Sequence, residues 1–304
     1  MTDRPCDATQ FSFKSGFVAI LGAPNAGKST LLNRILGQKI SITSNKPQTT
    51  RNRILGVLHR PAAQIVFIDT PGVHKATDPL NIRIVETALS SLADVDVILV
   101  IIDVARPDPV SESLMVKKFK AGKQPVVLAL NKIDIIPKTD LLAIIDRWSK
   151  LYPFKDIVPI SAEKNTQTDR LLASLEALLP DGPPFFPEDT VTDLTERFIA
   201  AEMIREKVFR LTGEEIPYAT AVTVDTFEEE KEGALVRIHA TIHLERDSQK
   251  GIVIGKGGRM LKSIGEKSRR EIERFLGVKV FLKLFVRTQK NWRKDTRALR
   301  KFGY

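Results

Sequence analysis

Apolar positions fall in two kinds of pattern along this chain, and the order in which they alternate predicts two domains. Residues 17–21 form a short apolar run of the kind that makes a buried strand, and from Lys28 onward Leu31, Leu32, Ile35 and Leu36 recur on one side of a helix. Strand-like runs return at 64–68, 125–130 and 157–160, which predicts an α/β domain with a mostly parallel sheet and helices on both faces. The longest apolar run, 95–102, is interrupted by Asp96 and is too short to span a bilayer. Pro180, Pro183, Pro184 and Pro187 then stop both helix and strand, so this stretch reads as a linker. Beyond it come a helical pattern over 194–211, alternating runs at 219–226 and 234–244 around an acidic turn, an amphipathic helix through Leu261, Ile264 and Ile272, and a strand at 279–286. That sequence of elements predicts a smaller α+β domain. The expected boundaries are a tail at 1–14, a first domain at 15–180, a Pro-rich linker at 181–192 and a second domain at 193–304 with a basic extension at its end.

The loops between the predicted strands and helices carry the chemistry. Gly22-Ala23-Pro24-Asn25-Ala26-Gly27-Lys28-Ser29 fits the P-loop consensus and lies between a strand and a helix that continues with Thr30. Backbone N–H groups around 22–27 would converge on polyphosphate oxygens, and the helix dipole favours negative charge there. Lys28 would reach the β- and γ-phosphates, and the Ser29 hydroxyl would ligate Mg²⁺. After the run at 64–68, Asp69-Thr70-Pro71-Gly72 would hold the Mg²⁺ shell through Asp69 and touch the γ-phosphate through the Gly72 N–H. After the run at 125–130 comes Asn131-Lys132-Ile133-Asp134. Asp134 would accept from the N1–H and 2-amino group of guanine, and Asn131 and Lys132 would brace the loop and the ring face. Such a pocket rejects adenine by on the order of 10⁴-fold, because a buried polar group is otherwise left unpaired. Ser161-Ala162 follows the run at 157–160, where its backbone can back the guanine O6. The polar, Thr-rich segment 45–53 reads as a mobile loop; its Thr50, favoured over Thr49, would close onto metal and γ-phosphate.

These five loops, in this order and each at a strand end, resemble the translation-factor-related GTPases. The resemblance covers about the first three-fifths of the chain and implies GTP/GDP and Mg²⁺ as ligands, with Lys28, Thr50, Asn25 and Gly72 as the catalytic candidates. One departure concerns Val73, which follows Gly72 where Ras-like enzymes carry the glutamine that orients water. Hydrolysis must then use substrate or backbone positioning, a different side chain, or a bound cation. In potassium-dependent relatives the residue at Asn25 helps to coordinate K⁺; the other reading of Asn25 is a loop-stabilising residue, and GTPase rates in KCl against NaCl separate the two. His74 is a poor candidate for a base.

Composition adds a second function. Of the 304 residues 42% are hydrophobic and 28% charged, the proportions of a globular chain with cores for about two domains. Cys6 is the only cysteine, so an internal disulfide is excluded and a reducing cytoplasm fits. Neither a signal peptide nor a transit segment is expected at 1–14. Residues 249–304 hold 17 lysines and arginines against 4 acids, a net of +13 in a chain of net +10, so the preceding 248 residues sum to −3. Such segregation points to a polyanion, either nucleic acid or an anionic membrane surface. Within it, Ile254-Gly255-Lys256-Gly257-Gly258 places a Gly-x-x-Gly turn between two helical stretches, where backbone could approach sugar-phosphate and Lys256, Arg259 and Lys262 add charge. Aromatic stacking platforms look scarce, and Trp292 and Phe302 are equally readable as core anchors or base stackers.

The helix, hairpin and Gly-x-x-Gly arrangement resembles a K-homology (KH) domain of the prokaryotic type, type II. With Pro47-Gln48-Thr49-Thr50-Arg51 and Asp69-Thr70-Pro71-Gly72 in the same chain, the sequence resembles the Era-like GTPases nearly end to end. That resemblance implies a P-loop GTPase domain followed by an RNA-binding KH domain, and a switch that binds the 3′ region of 16S rRNA and assists 30S subunit assembly. It also implies a monomer in the cytoplasm, with peripheral association with the inner face of the plasma membrane and no transmembrane segment. A constitutive RNA- or membrane-docking domain beside a GTPase that acts on another protein is the competing reading. Thermodynamic linkage separates them: if GTP tightens RNA binding, RNA tightens GTP binding by the same factor.

Overall fold

The computed structural model describes residues 13–44, 50–72, 95–213, 216–230 and 233–302. Val73, together with Cys6, Pro47, Gln48, Thr49 and His74, lies outside the described residues.

The first domain is a six-stranded sheet. Its strands are β1 (Lys14–Gly22), β2 (Ile54–Arg60), β3 (Ala63–Asp69), β4 (Val97–Asp103), β5 (Val126–Asn131) and β6 (Asp156–Ile160), in the spatial order β2-β3-β1-β4-β5-β6. All neighbours run parallel except β2, which pairs antiparallel with β3 at the edge. Helices α1 (Lys28–Leu36), α2 (Pro109–Ala121), α3 (Lys138–Leu151) and α4 (Thr168–Leu178) cover it. Successive side chains of a strand point to opposite faces, so β1 splits its apolar residues between two cores. Val18 and Ile20 meet Leu31 of α1 and Leu171 and Leu175 of α4, while Ala19 and Leu21 join Met115 and Phe119 of α2 and Trp148 of α3. Because the strands are parallel, the loops after β1, β3, β4, β5 and β6 all leave from one edge of the sheet, the arrangement that makes a crevice at the strands' carboxyl ends.

Strand β2 had no counterpart among the sequence-predicted runs. The Pro-rich stretch also differs from a free linker, because it is pinned along the first domain. The side chain of Gln64, fully buried, accepts from the N–H groups of Phe185 (2.6 Å) and Phe186 (3.0 Å) and donates to the Phe186 carbonyl (2.7 Å). The Val57 N–H donates to Val191 (2.8 Å), His59 Nε2 to the Thr190 carbonyl (2.8 Å), and the Thr192 hydroxyl to Leu55 (2.6 Å). Proline removed the donors that helix or sheet would need, and the remaining backbone groups found partners on the first domain.

The second domain has helix α5 (Glu196–Leu211), strands β7 (Ala221–Glu229) and β8 (Leu235–Leu244), helices α6 (Asp247–Ile254) and α7 (Arg259–Leu276), strand β9 (Lys279–Thr288) and a short helix α8 (Thr296–Lys301). Its sheet runs β7-β8-β9, antiparallel then parallel. Val236, Ile238, Ala240 and Ile242 of β8 face a core with Ile199 and Ile204 of α5, Val253 of α6 and Ile264 and Ile272 of α7. Trp292 and Phe302 are buried with Ala221, Ala298 and Leu299, so of the two readings they take the core one.

Helix α5 is buried on nearly every side, charged residues included, because it is wedged between this sheet and the first domain. Glu206 has no exposed side-chain surface; Lys39, Lys207 and Arg210 surround it, and Lys39 and Lys207 also pair with Glu271 of α7. Arg51 completes the junction. Its guanidinium, 4% exposed as a residue, donates to the carbonyls of Thr220 (2.9 Å), Pro217 (3.1 Å) and Tyr218 (3.0 Å), 5.9 Å from the ring centres of both Phe209 and Trp292.

Candidate nucleotide site and Gly-x-x-Gly turn

The crevice holds a cavity of about 980 Å³ whose wall includes Pro24, Asn25, Gly27, Lys28, Ser29, Thr30, Thr50, Gly72, Asn131, Lys132, Asp134, Ser161 and Ala162. Residues from all five loops that the sequence singled out are thus brought together. Gly22, Ala23, Ala26, Asp69, Thr70, Pro71 and Ile133 stand behind that wall. Ala26 belongs to one core, Ile133 packs against the other, and Thr70 ties its loop to β1 by donating to the Ile20 carbonyl (2.7 Å).

Two glycines set the approach of the loops. Gly27 has φ 101°, and a Cβ there would lie 2.2 Å from Asn131 Nδ2. At Gly72 a Cβ would meet the Pro24 backbone nitrogen at 2.8 Å, so the Asp69-to-Gly72 loop touches the phosphate loop backbone to backbone. Asn131 holds its neighbours from both ends of its amide, donating to Ala26 O (2.8 Å) and accepting from Ala162 N (2.9 Å). Lys132, in left-handed backbone at φ 70°, donates to Asp103 Oδ2 at 2.5 Å. Asp134 projects exposed at the cavity wall.

The metal candidates converge. Ser29 Oγ donates to Asp69 Oδ2 (2.7 Å) and lies 2.9 Å from Thr50 Oγ1, and Ser41 Oγ, a residue the sequence reading missed, donates to the same carboxylate oxygen (3.0 Å). Burial raises the Asp69 pKa, opposed by Lys28 and by the two serine hydroxyls. Asp69 Oδ1 is buried and has no hydrogen-bond partner among the described residues. An acidic oxygen left unpaired beside two hydroxyls fits a hard divalent cation such as Mg²⁺. Lys28 Nζ, folded back onto the carbonyls of Gly22 (3.0 Å) and Ala23 (2.9 Å), is pushed down to about 8 by burial against the pull of Asp69. A buried ammonium of that kind is stabilised by an incoming polyphosphate.

The cavity also has a wall from the second domain. Arg210 of α5 donates to Thr43 O (2.9 Å) and Thr43 Oγ1 (3.0 Å) and lines the cavity with Ile42 and Thr43. No local signal in the sequence marks this contact, which spans 167 positions.

At the second predicted site, Gly255, Gly257 and Gly258 have φ of 72°, 62° and 75°, backbone that side chains rarely adopt. A Cβ at Gly257 or Gly258 would meet nothing within 4 Å, so the turn presents bare backbone to solvent at the N-terminus of α7. Lys256, Arg259 and Lys262 are exposed around it and Ile254 is half-buried. The scarcity of aromatic platforms does not hold: Phe281 and Phe285 stand exposed on β9.

Residues 17–132 match the family described as 50S ribosome-binding GTPase, and residues 215–293 match the KH domain family. The chain is 55% identical to the GTPase Era of Geobacter sp. (strain M21) over 96% of its length and 98% of that protein's. It is 53% identical to the GTPase Era of Geobacter metallireducens over the whole of both chains. Two solved Era structures superpose with a TM-score of 0.92 at 43% identity, covering 96% of this chain and 99% of theirs: Aquifex aeolicus Era Y63A bound to GDP·AlF₄⁻, and Era in complex with MgGDPNP and nucleotides 1506–1542 of 16S ribosomal RNA. No described helix is long and apolar enough to cross a membrane. With its P-loop GTPase domain, its KH domain and this end-to-end likeness, the chain belongs to the Era family of GTPases.

Proposed function

We propose that this GTPase binds the 3′ region of 16S rRNA through the turn at 254–258 with Arg259 and Lys262, that bound nucleotide sets how firmly it does so, and that the cycle serves maturation of the 30S subunit. The observation that carries the reading is the adjacent pair Thr50 and Arg51. Thr50 lies beside Ser29 at the metal position, and Arg51, one residue later, meets three carbonyls of the KH domain. A change at Thr50 on hydrolysis therefore pulls directly on the RNA-binding half.

In this reading Lys28 and the N–H groups of 22–27 hold the phosphates, Asp134 reads guanine, and the Ser161-Ala162 backbone backs the base. Ser29 and Thr50 hold Mg²⁺ directly and Asp69 holds it through its water shell; the ion neutralises charge on the β- and γ-phosphate oxygens. The Gly72 N–H orients the γ-phosphate; Asn25, on the cavity wall at φ 63°, would help to hold a K⁺ beside the phosphates if hydrolysis is faster in KCl than in NaCl, and otherwise stabilises the loop. Domain bodies at 15–180 and 193–304 fit these roles. A cytoplasmic location suits the substrate and partner, with peripheral contact at the inner membrane face as a separable use of the basic region.

The test measures binding of small ribosomal subunits and of the rRNA 3′ end with GTP analogue or GDP, alongside a Lys256→Asp, Gly257→Asp variant. Tight binding that needs the triphosphate and fails in the variant supports the reading; binding indifferent to both overturns it.

A further inference from the structure

The KH sheet buries one face under α5, α6 and α7, and its other face is only partly covered. Trp292, Ala298, Leu299 and Phe302 close the end of that outer face at Ala221 and His243, where the Phe302 and His243 rings lie 4.5 Å apart. Along β9 the outer face stays open. Lys279, Phe281, Lys283, Phe285 and Arg287 alternate there, all exposed, with Phe281 at 46% and Phe285 at 39%. Their register partners on β8 include Arg237 opposite Phe281 and His239 opposite Lys283.

A solvated sheet face is ordinarily polar, and two exposed phenylalanines four residues apart on an edge strand leave apolar surface uncovered. Cations frame both rings. The Arg237 guanidinium is 5.4 Å from the Phe281 centre and Lys283 Nζ is 5.2 Å from the Phe285 centre, with the His239 ring edge-on at 6.3 Å. β9 carries no acid; the acids near this face lie on the far strand and its turn, where Asp225 is occupied by Thr223 and Thr241, Glu230 by Arg237, and Glu228 stands exposed opposite Arg237. A row of alternating cations and flat apolar rings, with no acid among them, matches the chemistry of a single-stranded nucleic acid, whose phosphates and base faces alternate in the same way. The two rings stand about 13 Å apart along the strand, so each would take a separate base.

We infer that the outer face of β9 is a second RNA surface on which single-stranded bases stack against Phe281 and Phe285 while Lys279, Lys283 and Arg287 meet the phosphates. The inference rests on the reading of 254–258 as an RNA site. α6 and α7, which flank that turn, both pack against β9, so a strand leaving the turn reaches the outer face around one sheet edge. A KH turn grips about four nucleotides, and the RNA held by the solved relative, nucleotides 1506–1542, is several times longer.

The test uses the full-length protein with GTP analogue and a fluorescent single-stranded RNA covering the rRNA 3′ end. Phe281→Ala, Phe285→Ala should weaken binding at least about tenfold, since a lost base stack is worth ~1–3 kcal/mol. The slope of log affinity against log salt should stay as it was. Lys279→Ser, Lys283→Ser should flatten that slope by roughly 0.7 per lost phosphate contact. Phe281→Leu, Phe285→Leu should bind as weakly as the alanine pair, because leucine keeps the bulk and loses the π-face. Unchanged GTPase rate and circular dichroism check the fold. RNA affinity unaffected by the phenylalanine changes, while Lys256→Asp, Gly257→Asp abolishes it, overturns the outer surface and leaves the primary reading standing. Loss on the phenylalanine changes with none on the turn variant supports the outer surface and overturns the primary reading. Phenylalanine changes that lower binding to anionic phospholipid vesicles but not to RNA also overturn the proposal and assign the face to membrane.

Discussion

Replacing Arg51 with alanine isolates the connection between nucleotide and RNA. Among the described residues the guanidinium meets the carbonyls of Pro217, Tyr218 and Thr220 by charge-assisted hydrogen bonds, in a buried socket between two aromatic rings. Truncation leaves the carbonyls of Pro217, Tyr218 and Thr220 without these donors and opens a void between Phe209 and Trp292. Bonds to charged groups contribute ~1.5–3 kcal/mol each and are not additive, and leaving a buried acceptor unpaired costs about 1–3 kcal/mol. Coupling between two sites is typically ~1–3 kcal/mol. The socket is therefore worth at least as much as the coupling it would transmit, and its loss is enough to uncouple Thr50 from the KH domain. Fluorescence anisotropy with the rRNA 3′ end gives the ratio of affinities with GTP analogue and with GDP. We expect that ratio to fall to within about twofold of unity in Arg51→Ala, and the reciprocal effect of RNA on nucleotide affinity to vanish with it. Arg51→Lys should be intermediate, since an ammonium can meet some of the carbonyls but cannot lie flat between the rings. Arg51 is not on the cavity wall, so nucleotide affinity without RNA is the internal control. An undiminished ratio in Arg51→Ala would refute coupling through this segment.

Asp134→Asn should move preference from guanine toward xanthine, because the amide can donate to the added carbonyl; competition binding with GTP and XTP reads it, and an unchanged preference removes Asp134 from the base. Lys28 should take up a proton when nucleotide binds: its pKa near 8 in the free protein rises against phosphate, so above pH 8 calorimetry in buffers of different ionisation heat should show net proton uptake, absent in Lys28→Ala. His243 is held down to about 4 by burial, with Lys301 and Arg287 adding to the shift and Asp225 opposing it. The unfolded chain, with its imidazole near 6.5, binds the proton first, so His243 lowers stability as pH falls from about 6.5 to 4. Melting temperatures across that window should fall less steeply for His243→Gln.

The nucleotide loops were legible because phosphate, metal and guanine each demand a residue type at a fixed place after a strand. Asp69 and Asn131 could be placed from their own neighbours. Arg51 could not: it is a basic residue in a polar segment, and its partners are carbonyls more than 160 positions away, which no local spacing encodes. The all-round burial of α5 was hidden for the same reason, since Arg205, Glu206 and Lys207 read as solvent-facing until another domain covers them. In β9 the alternation was visible, but which face the sheet would leave open depended on where α8 packed. Prolines 180–187 signalled interruption, while the partner that Phe185 and Phe186 found was Gln64, a polar residue facing into an apolar stretch of β3.

Those contacts from Gln64, Val57 and Leu55 have a consequence for motion. With the chain fastened as far as Thr192, only Asp193 and Leu194 separate the fixed strap from Thr195, the cap of α5. So short a tether keeps the KH domain at millimolar or higher effective concentration against the GTPase domain even when Arg51 lets go. Undocking then releases little translational entropy. In the proposed cycle the nucleotide would only have to reorient a neighbour that cannot leave, a task within reach of one γ-phosphate.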